Sequence, residues 1–204
     1  MISAEDFEQG LRLDHYMASI ERNKENFRAN FIKAIELVPA DDLAFFRKMP
    51  KTNVLVVTDD ESPDSLRDVP IISRLSVEIG TLKLKLFRFT KSAHIVEKLC
   101  HTPPADCTTT PLRIPIMAFF TPDMQLINIF SERIPELSVE MKRRHQEWID
   151  THPEVRDAGE PIAKMSPITR TRILQTIFAM TPDQRVQWGR KTVKAWRDLL
   201  TPTA

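Results

Sequence analysis

Two apolar runs of different pattern, joined by a segment of helix length, limit the fold more than any other feature of the chain. Asn53-Val54-Leu55-Val56-Val57-Thr58 is apolar and β-branched without alternation. Such a run suits a strand buried on both faces, in a sheet covered by helices. Leu82-Lys83-Leu84-Lys85-Leu86-Phe87-Arg88-Phe89 alternates instead, as a strand with one polar face does. Between them Ser62 is a good N-cap and Pro63 a good first helical residue. Leu66, Val69, Ile72, Leu75 and Ile79 then lie on one helical face, and Gly80 supplies the stop. Pro70 falls inside this helix and predicts a kink or a lost hydrogen bond.

The flanking segments follow from the same signals. Residues 4–38 read as helical, with Phe27, Phe31, Ile35 and Val38 on one face. Asp41 and Asp42 precede Leu43, Phe45 and Phe46 in a short acidic-capped helix ending near Pro50. A short helix is expected over 91–100 and a loop rich in Pro and Thr over 101–111. Residues 114–120 form a third strand with Pro115 at its head, a placement that fits an edge, a bulge or a cis bond. Thr121-Pro122-Asp123 turns the chain into a fourth strand over 125–130. Helices are expected over 136–151, 166–180 and 182–200. The last two begin with an echo fifteen residues apart, Met165-Ser166-Pro167 and Met180-Thr181-Pro182. Each places Ser or Thr at an N-cap and Pro at the first helical position. Their apolar stripes must pack on each other and on the core.

Composition removes several function classes. With 42% apolar and 28% charged residues among 204, the chain can bury a sizeable core. A net charge of +1 gives no global footprint for nucleic acid or a membrane surface. The longest apolar runs, such as 114–120, are too short to span a bilayer. The opening Met1-Ile2-Ser3-Ala4-Glu5-Asp6 lacks a signal-peptide pattern, so a cytoplasmic location is expected. Four glycines leave little material for a phosphate-cradling loop, and no H-E-x-x-H or G-x-S-x-G motif occurs. No cofactor or metal is expected. Lys164, Arg170, Arg172, Arg185, Arg190, Lys191, Lys194 and Arg197 make the last helices basic, a solvated face more often than a nucleic-acid surface. Trp196 shares the apolar stripe and belongs to the core, whereas Trp188 lies to its side as a candidate interface anchor.

Cys100 and Cys107 are the only cysteines. Their spacing matches no zinc pattern, and reduced thiols are the simplest expectation. As a disulfide they would close a short loop that leads directly into Pro115.

The order of elements resembles that of a thioredoxin fold, and particular residues extend the resemblance. Val54-Leu55-Val56-Val57-Thr58-Asp59-Asp60-Glu61-Ser62-Pro63-Asp64-Ser65, followed by Asp68-Val69-Pro70-Ile71-Ile72, is similar to a bacterial thioredoxin-family group. That group reads V-L-V-I-T-E-D-W-C-G-D-A and then N-x-P-I-L. Arg113-Ile114-Pro115-Ile116 resembles its R-S-I-P-I segment, in which the proline is the family's cis-proline. Phe7-Glu8-Gln9-Gly10-Leu11, Asn23-Lys24 and Phe45-Phe46 resemble its N-terminal helical lead. The resemblance covers roughly residues 5–150.

It implies an α/β, thioredoxin-like fold: a central mixed sheet of about four strands flanked by helices, with an N-terminal helical lead and a C-terminal helical extension. The expected division is 1–150 for the thioredoxin-like domain and 151–204 for a helix pair. The family's cysteine falls on Ser62, its tryptophan on Glu61 and its glycine on Pro63. A helix N-terminus lowers a thiol's pKa, but a serine hydroxyl there has no comparable ionisation and forms no disulfide. Ser62 also lacks a histidine close in sequence to activate it, so it reads as an N-cap.

The implied protein is redox-inactive and binds another protein, or assembles, through the vestigial site or the C-terminal helices. The site comprises Asp59, Asp60, Glu61, Ser62, Asp64, Arg113 and Pro115. Its four acids either crowd the mouth and favour a basic partner or form a solvated loop that complements the helix dipole. Two alternatives stand beside this reading: a thiol–disulfide oxidoreductase using Cys100 and Cys107, and a structural homodimer.

Overall fold

The uniform apolar run becomes β1 (Thr52–Thr58) and the alternating run becomes β2 (Leu82–Arg88), joined by α5 (Pro63–Ile79). The computed structural model describes residues 1–103, 111–161 and 164–201. The two strands pair in parallel, from Thr52 opposite Leu82 to Thr58 opposite Arg88. Parallel neighbours need a long crossover, which α5 supplies. On the other side of β1, β3 (Ile116–Phe120) runs antiparallel, and β4 (Leu126–Ser131) follows it as a hairpin. The sheet is mixed, in the order β2-β1-β3-β4.

Alternation along these strands makes two cores. Leu55, Val57, Phe87, Ile116, Ala118 and Phe120 pack with Ile2, Phe7, Ile95 and Leu99. Those partners come from the N-terminal segment with α1 (Ala4–Glu8), and from α6 (Ala93–Cys100). Val54, Val56, Met117 and Phe119 have the opposite parity and are equally buried. On that side Phe130 meets Trp196 edge-to-face, with ring centroids 5.9 Å apart.

The single helical lead expected over 4–38 is instead α1, α2 (Leu13–Ser19), α3 (Lys24–Lys33) and a 3-10 turn over Ala34–Leu37. The break has a cause at Gly10. There the chain leaves α1 so that Leu11 can pair with Leu86, each N–H meeting the other's carbonyl at 2.8 and 2.9 Å. A Cβ on Gly10 would lie 2.5 Å from the Phe87 ring and 2.8 Å from the Lys85 Cβ. The close approach needs glycine. The resulting bridge covers part of β2's outer edge. The acidic-capped helix expected after Asp41 is α4 (Ala40–Lys48).

α5 runs through Pro70 with its hydrogen-bonding deficit filled from outside. Pro70 lacks the N–H that would reach the Leu66 carbonyl one turn earlier. That carbonyl accepts instead from Nδ2 of Asn30 on α3, at 2.8 Å. Asn30→Ala should therefore destabilise the protein by about 1–3 kcal/mol, because it orphans a carbonyl in a buried helix. Restoring the helix donor with Pro70→Ala should shrink that cost, and a double-mutant cycle in urea measures the coupling. Equal costs in both backgrounds would disprove the substitution of one donor for the other.

The chain divides into two units, Met1–Arg133 with Gly189–Ala204 and Ile134–Trp188. This differs from the division expected at 150. The helix α9 (Pro182–Leu200) starts in the second unit, while Val193 and Trp196 are buried in the first, where Arg197 also pairs with Asp42. Periodicity gives a helix its apolar stripe but not the neighbour that covers it. In the second unit, Trp148 on α7 (Pro135–Thr151) packs with Ala158, Met165 and, on α8 (Pro167–Ile177), Ile173 and Ile177. Ser166 caps α8 through the Thr169 N–H, and Asp157 accepts from the Ser166 N–H and the Thr169 hydroxyl, both at 2.7 Å. The α8 pattern stops at Ile177 rather than 180, where Arg144 donates to the carbonyls of Ile177 and Ala179 at 3.2 and 2.8 Å.

Candidate functional site

β1 delivers residues 59–62 to the start of α5. Ser62 takes extended backbone, and its hydroxyl accepts the Ser65 N–H at 3.3 Å, with Pro63 at the first helical position. This is the N-cap expected from Ser-Pro. No histidine is hydrogen-bonded to Ser62 among the described residues. The Asp59 carboxylate accepts the Glu61 N–H at 2.8 Å, and the Asp59 carbonyl accepts the Ser62 N–H. Asp60 points away from this turn and is buried. Its carboxylate accepts the N–H groups of Glu21 and Arg22 and faces Arg88 at 3.4 Å, and its carbonyl accepts from Asn23. Arg88 also reaches the Ser19 carbonyl and covers the ring of Tyr16 at 5.5 Å. Asp60 thus fixes the turn between α2 and α3 against the end of β1.

Asp64 is buried as well. Its carboxylate bridges Arg67 and Arg133, each at 2.6 Å. Arg67 in turn grips Asp68, which is fully buried, through two parallel contacts of 2.8 and 2.7 Å. Arg133 also pairs with Glu132, and Glu132 faces Arg113 at 3.6 Å. Burial raises the Asp64 and Asp68 carboxyls above their ordinary range, against the lowering by Arg67 and Arg133. The acidic mouth read from the sequence is therefore largely compensated: Glu61 pairs with Arg22, Asp60 with Arg88 and Asp64 with two arginines. Glu61 and its partner Arg22 stay exposed, whereas Asp60 and Asp64 are drawn inside. Arg67, Asp68, Glu132 and Arg133 are the residues that sequence reasoning missed. Their only sequence signal was a high local density of charge.

The same sheet end receives the segment before β3. Val57 pairs with Ile116, so Pro115 falls beside the end of β1 where α5 begins. The Ile114–Pro115 peptide bond is cis, and Pro115 is buried. Glu132, in the left-handed conformation at φ 61°, aims its N–H at the carbonyls of Arg113 and Pro115, at 3.0 and 2.9 Å. The Arg113 N–H donates to the Ser131 hydroxyl at 2.8 Å. The main chain on either side of Ile114 is thereby pinned. The N–H and carbonyl of half-buried Ile114 itself have no hydrogen-bond partner among the described residues. Of the sequence-expected site, Asp59, Glu61, Ser62 and the 113–115 segment share this end of the sheet, while Asp60 and Asp64 serve as internal supports.

The other candidates fall elsewhere. Cys100 ends α6 and is not a free thiol, so the expectation of a reduced thiol fails there. Cys107 lies outside the described residues. Trp196 is core, and Trp188 is half-buried. Among the described residues no three His, Cys, Asp or Glu side chains are grouped to hold a metal, and no helix is long and apolar enough to cross a membrane.

No protein-family model matches the chain, and no curated protein matches it in sequence. Among solved structures, a protein of unknown function from Pseudomonas aeruginosa is similar over 96% of this chain and 99% of its own, with a TM-score of 0.56 and 10% identity. An HIV epitope-scaffold protein is similar over 95% of this chain and 99% of its own, with a TM-score of 0.53 and 9% identity. At such identities the likeness is one of fold alone.

Proposed function

We propose that this chain is a redox-inactive, thioredoxin-like protein that binds an extended segment of another protein beside the start of α5. The free main chain of Ile114 carries the reading. A backbone N–H and carbonyl left open between pinned neighbours offer a rung to an incoming strand, as in recognition by strand addition. The strand order β2-β1-β3-β4, with β1 and β2 parallel and β3 and β4 antiparallel, supports the fold assignment, as does the helix start directly after β1. The compensated charges around Ser62 favour a partner recognised by main chain and shape over one recognised by bulk charge.

Crosslinking tests the proposal. A photoreactive phenylalanine at Ile114 should give a discrete adduct in native lysate. The same group at exposed Val77, on the far end of α5, should not. Adducts at both positions alike, or at neither, would sink the groove. Disulfide-reductase turnover that disappears in Cys100→Ser would replace the proposal with the oxidoreductase reading.

Ser62→Cys examines the same position chemically. The helix N-terminus should lower the new thiol's pKa below the ordinary value of about 8.5. Asp59 opposes this shift; Asp60 and Asp64, neutralised by arginines, oppose it little. The pH dependence of alkylation by iodoacetamide reads the pKa directly. A value at or above the ordinary one would mean that the acids still govern the site.

A further inference from the structure

Within the second unit, α7 and α8 flank a cleft of about 410 Å3, lined by Arg144, Glu147, Trp148, His152, Arg172 and Gln175. Its volume falls within the range of small-molecule sites. Most of its charge is already committed. Glu147 pairs with Arg143, and Arg144 pairs with Glu140 while donating to the carbonyls that end α8. Arg172 is different. Its guanidinium lies over the Trp148 indole, 5.5 Å from the ring centroid, and no acceptor among the described residues receives its N–H groups. The Gln175 carboxamide, one turn along α8, is likewise without a hydrogen-bond partner among the described residues.

The indole is not itself the binding surface. Trp148 is 5% exposed, and His152 stacks on it with planes 8° apart and centroids at 4.2 Å. His152 Nδ1 lies 2.9 Å from the Trp148 carbonyl, which only accepts, so Nδ1 carries the proton and the imidazole is held in place. The fixed Trp148 ring holds the exposed Arg172 guanidinium by a cation–π contact, and its N–H groups are left to a ligand or to water. An arginine fork without a protein acceptor matches the paired oxygens of a carboxylate or phosphate.

We propose that the α7–α8 cleft binds a small molecule through an anionic carboxylate or phosphate group, gripped by Arg172 with Gln175 as a second donor. This site is independent of the one at Ile114 and stands or falls separately.

The test uses the full-length, 15N-labelled protein at pH 7 and constant ionic strength. Sodium acetate and sodium phosphate are titrated in turn, with chloride as control. The Trp148 indole N–H resonance, assigned with Trp148→Phe, should shift saturably with at least one of the two anions. Arg172→Gln should weaken that binding about tenfold or more. Arg185→Gln, removing an exposed arginine outside the cleft, should leave it unchanged. Saturation by phosphate alone points to a phosphate monoester as the natural ligand, and saturation by acetate alone to a carboxylate. Calorimetry on the same solutions gives a second readout. A response that stays linear with anion concentration, an affinity indifferent to Arg172→Gln, or no heat and no shift would each overturn the proposal.

Discussion

Arg67→Met should destabilise the first unit by about 3–5 kcal/mol at pH 7, the cost of breaking a buried ion network from one side. Arg67 holds two carboxylates at once, Asp64 at 2.6 Å and Asp68 through a bidentate pair, and both acids are almost wholly shielded from water. Methionine keeps much of the volume but none of the charge. It would leave Asp68 without its bidentate partner and Asp64 with Arg133 alone. The loss should shrink on acidification. Burial already raises both carboxyls above their unfolded values, so the folded state takes up protons first as pH falls. For groups raised in this way, stability is fully present below the unfolded pKa and is lost as pH rises through the folded one. Removing the arginine strengthens that trend, and the gap between variant and parent should narrow from pH 7 to pH 5. Urea unfolding at the two pH values measures it. A gap that stays constant or widens toward pH 5 would mean that the carboxylates remain charged without Arg67. Replacing Arg67 and Asp68 together by apolar residues, with Asp64 left to Arg133, should recover much of the loss.

This network also shows where the sequence stops being legible. β1, α5 and the hairpin of β3 and β4 are encoded locally, by apolar runs, a Ser-Pro start, a Gly80 stop and a Thr-Pro-Asp turn. The position of Pro115 at the head of β3 could be read in the same way. Nothing local shows that Asp64 turns inward to Arg133, because the two meet only once β4 is in register beside β3. The same holds for Asn30, whose amide completes a helix on another element, and for Gly10, whose tight approach to Phe87 exists only after Leu11 pairs with Leu86. Ile114 carries no local signal of this kind. Its significance lies in hydrogen bonds that its neighbours make and it does not.

Trp196→Ala gives the second large effect, about 3–5 kcal/mol, as expected when a fully buried aromatic is truncated. Trp196 lies edge-on to Phe130, and Val193 and the Arg197–Asp42 pair belong to the same attachment of α9 to the first unit. The loss should therefore reach the sheet. Amides of β3 and β4 should lose hydrogen-exchange protection together, because they share one cooperative unit with this half of α9. Trp196→Phe should cost much less. It keeps the ring packing and removes an indole N–H that is buried without a hydrogen-bond partner among the described residues. The pattern of exchange discriminates between two architectures. If residues 151–204 formed a separate helical module, Trp196→Ala would loosen α9 and leave β3 and β4 protected as before. Loss of protection in both strands would instead make the end of α9 part of the first unit's folding core, so that truncation before Gly189 unravels the sheet that carries Ile114.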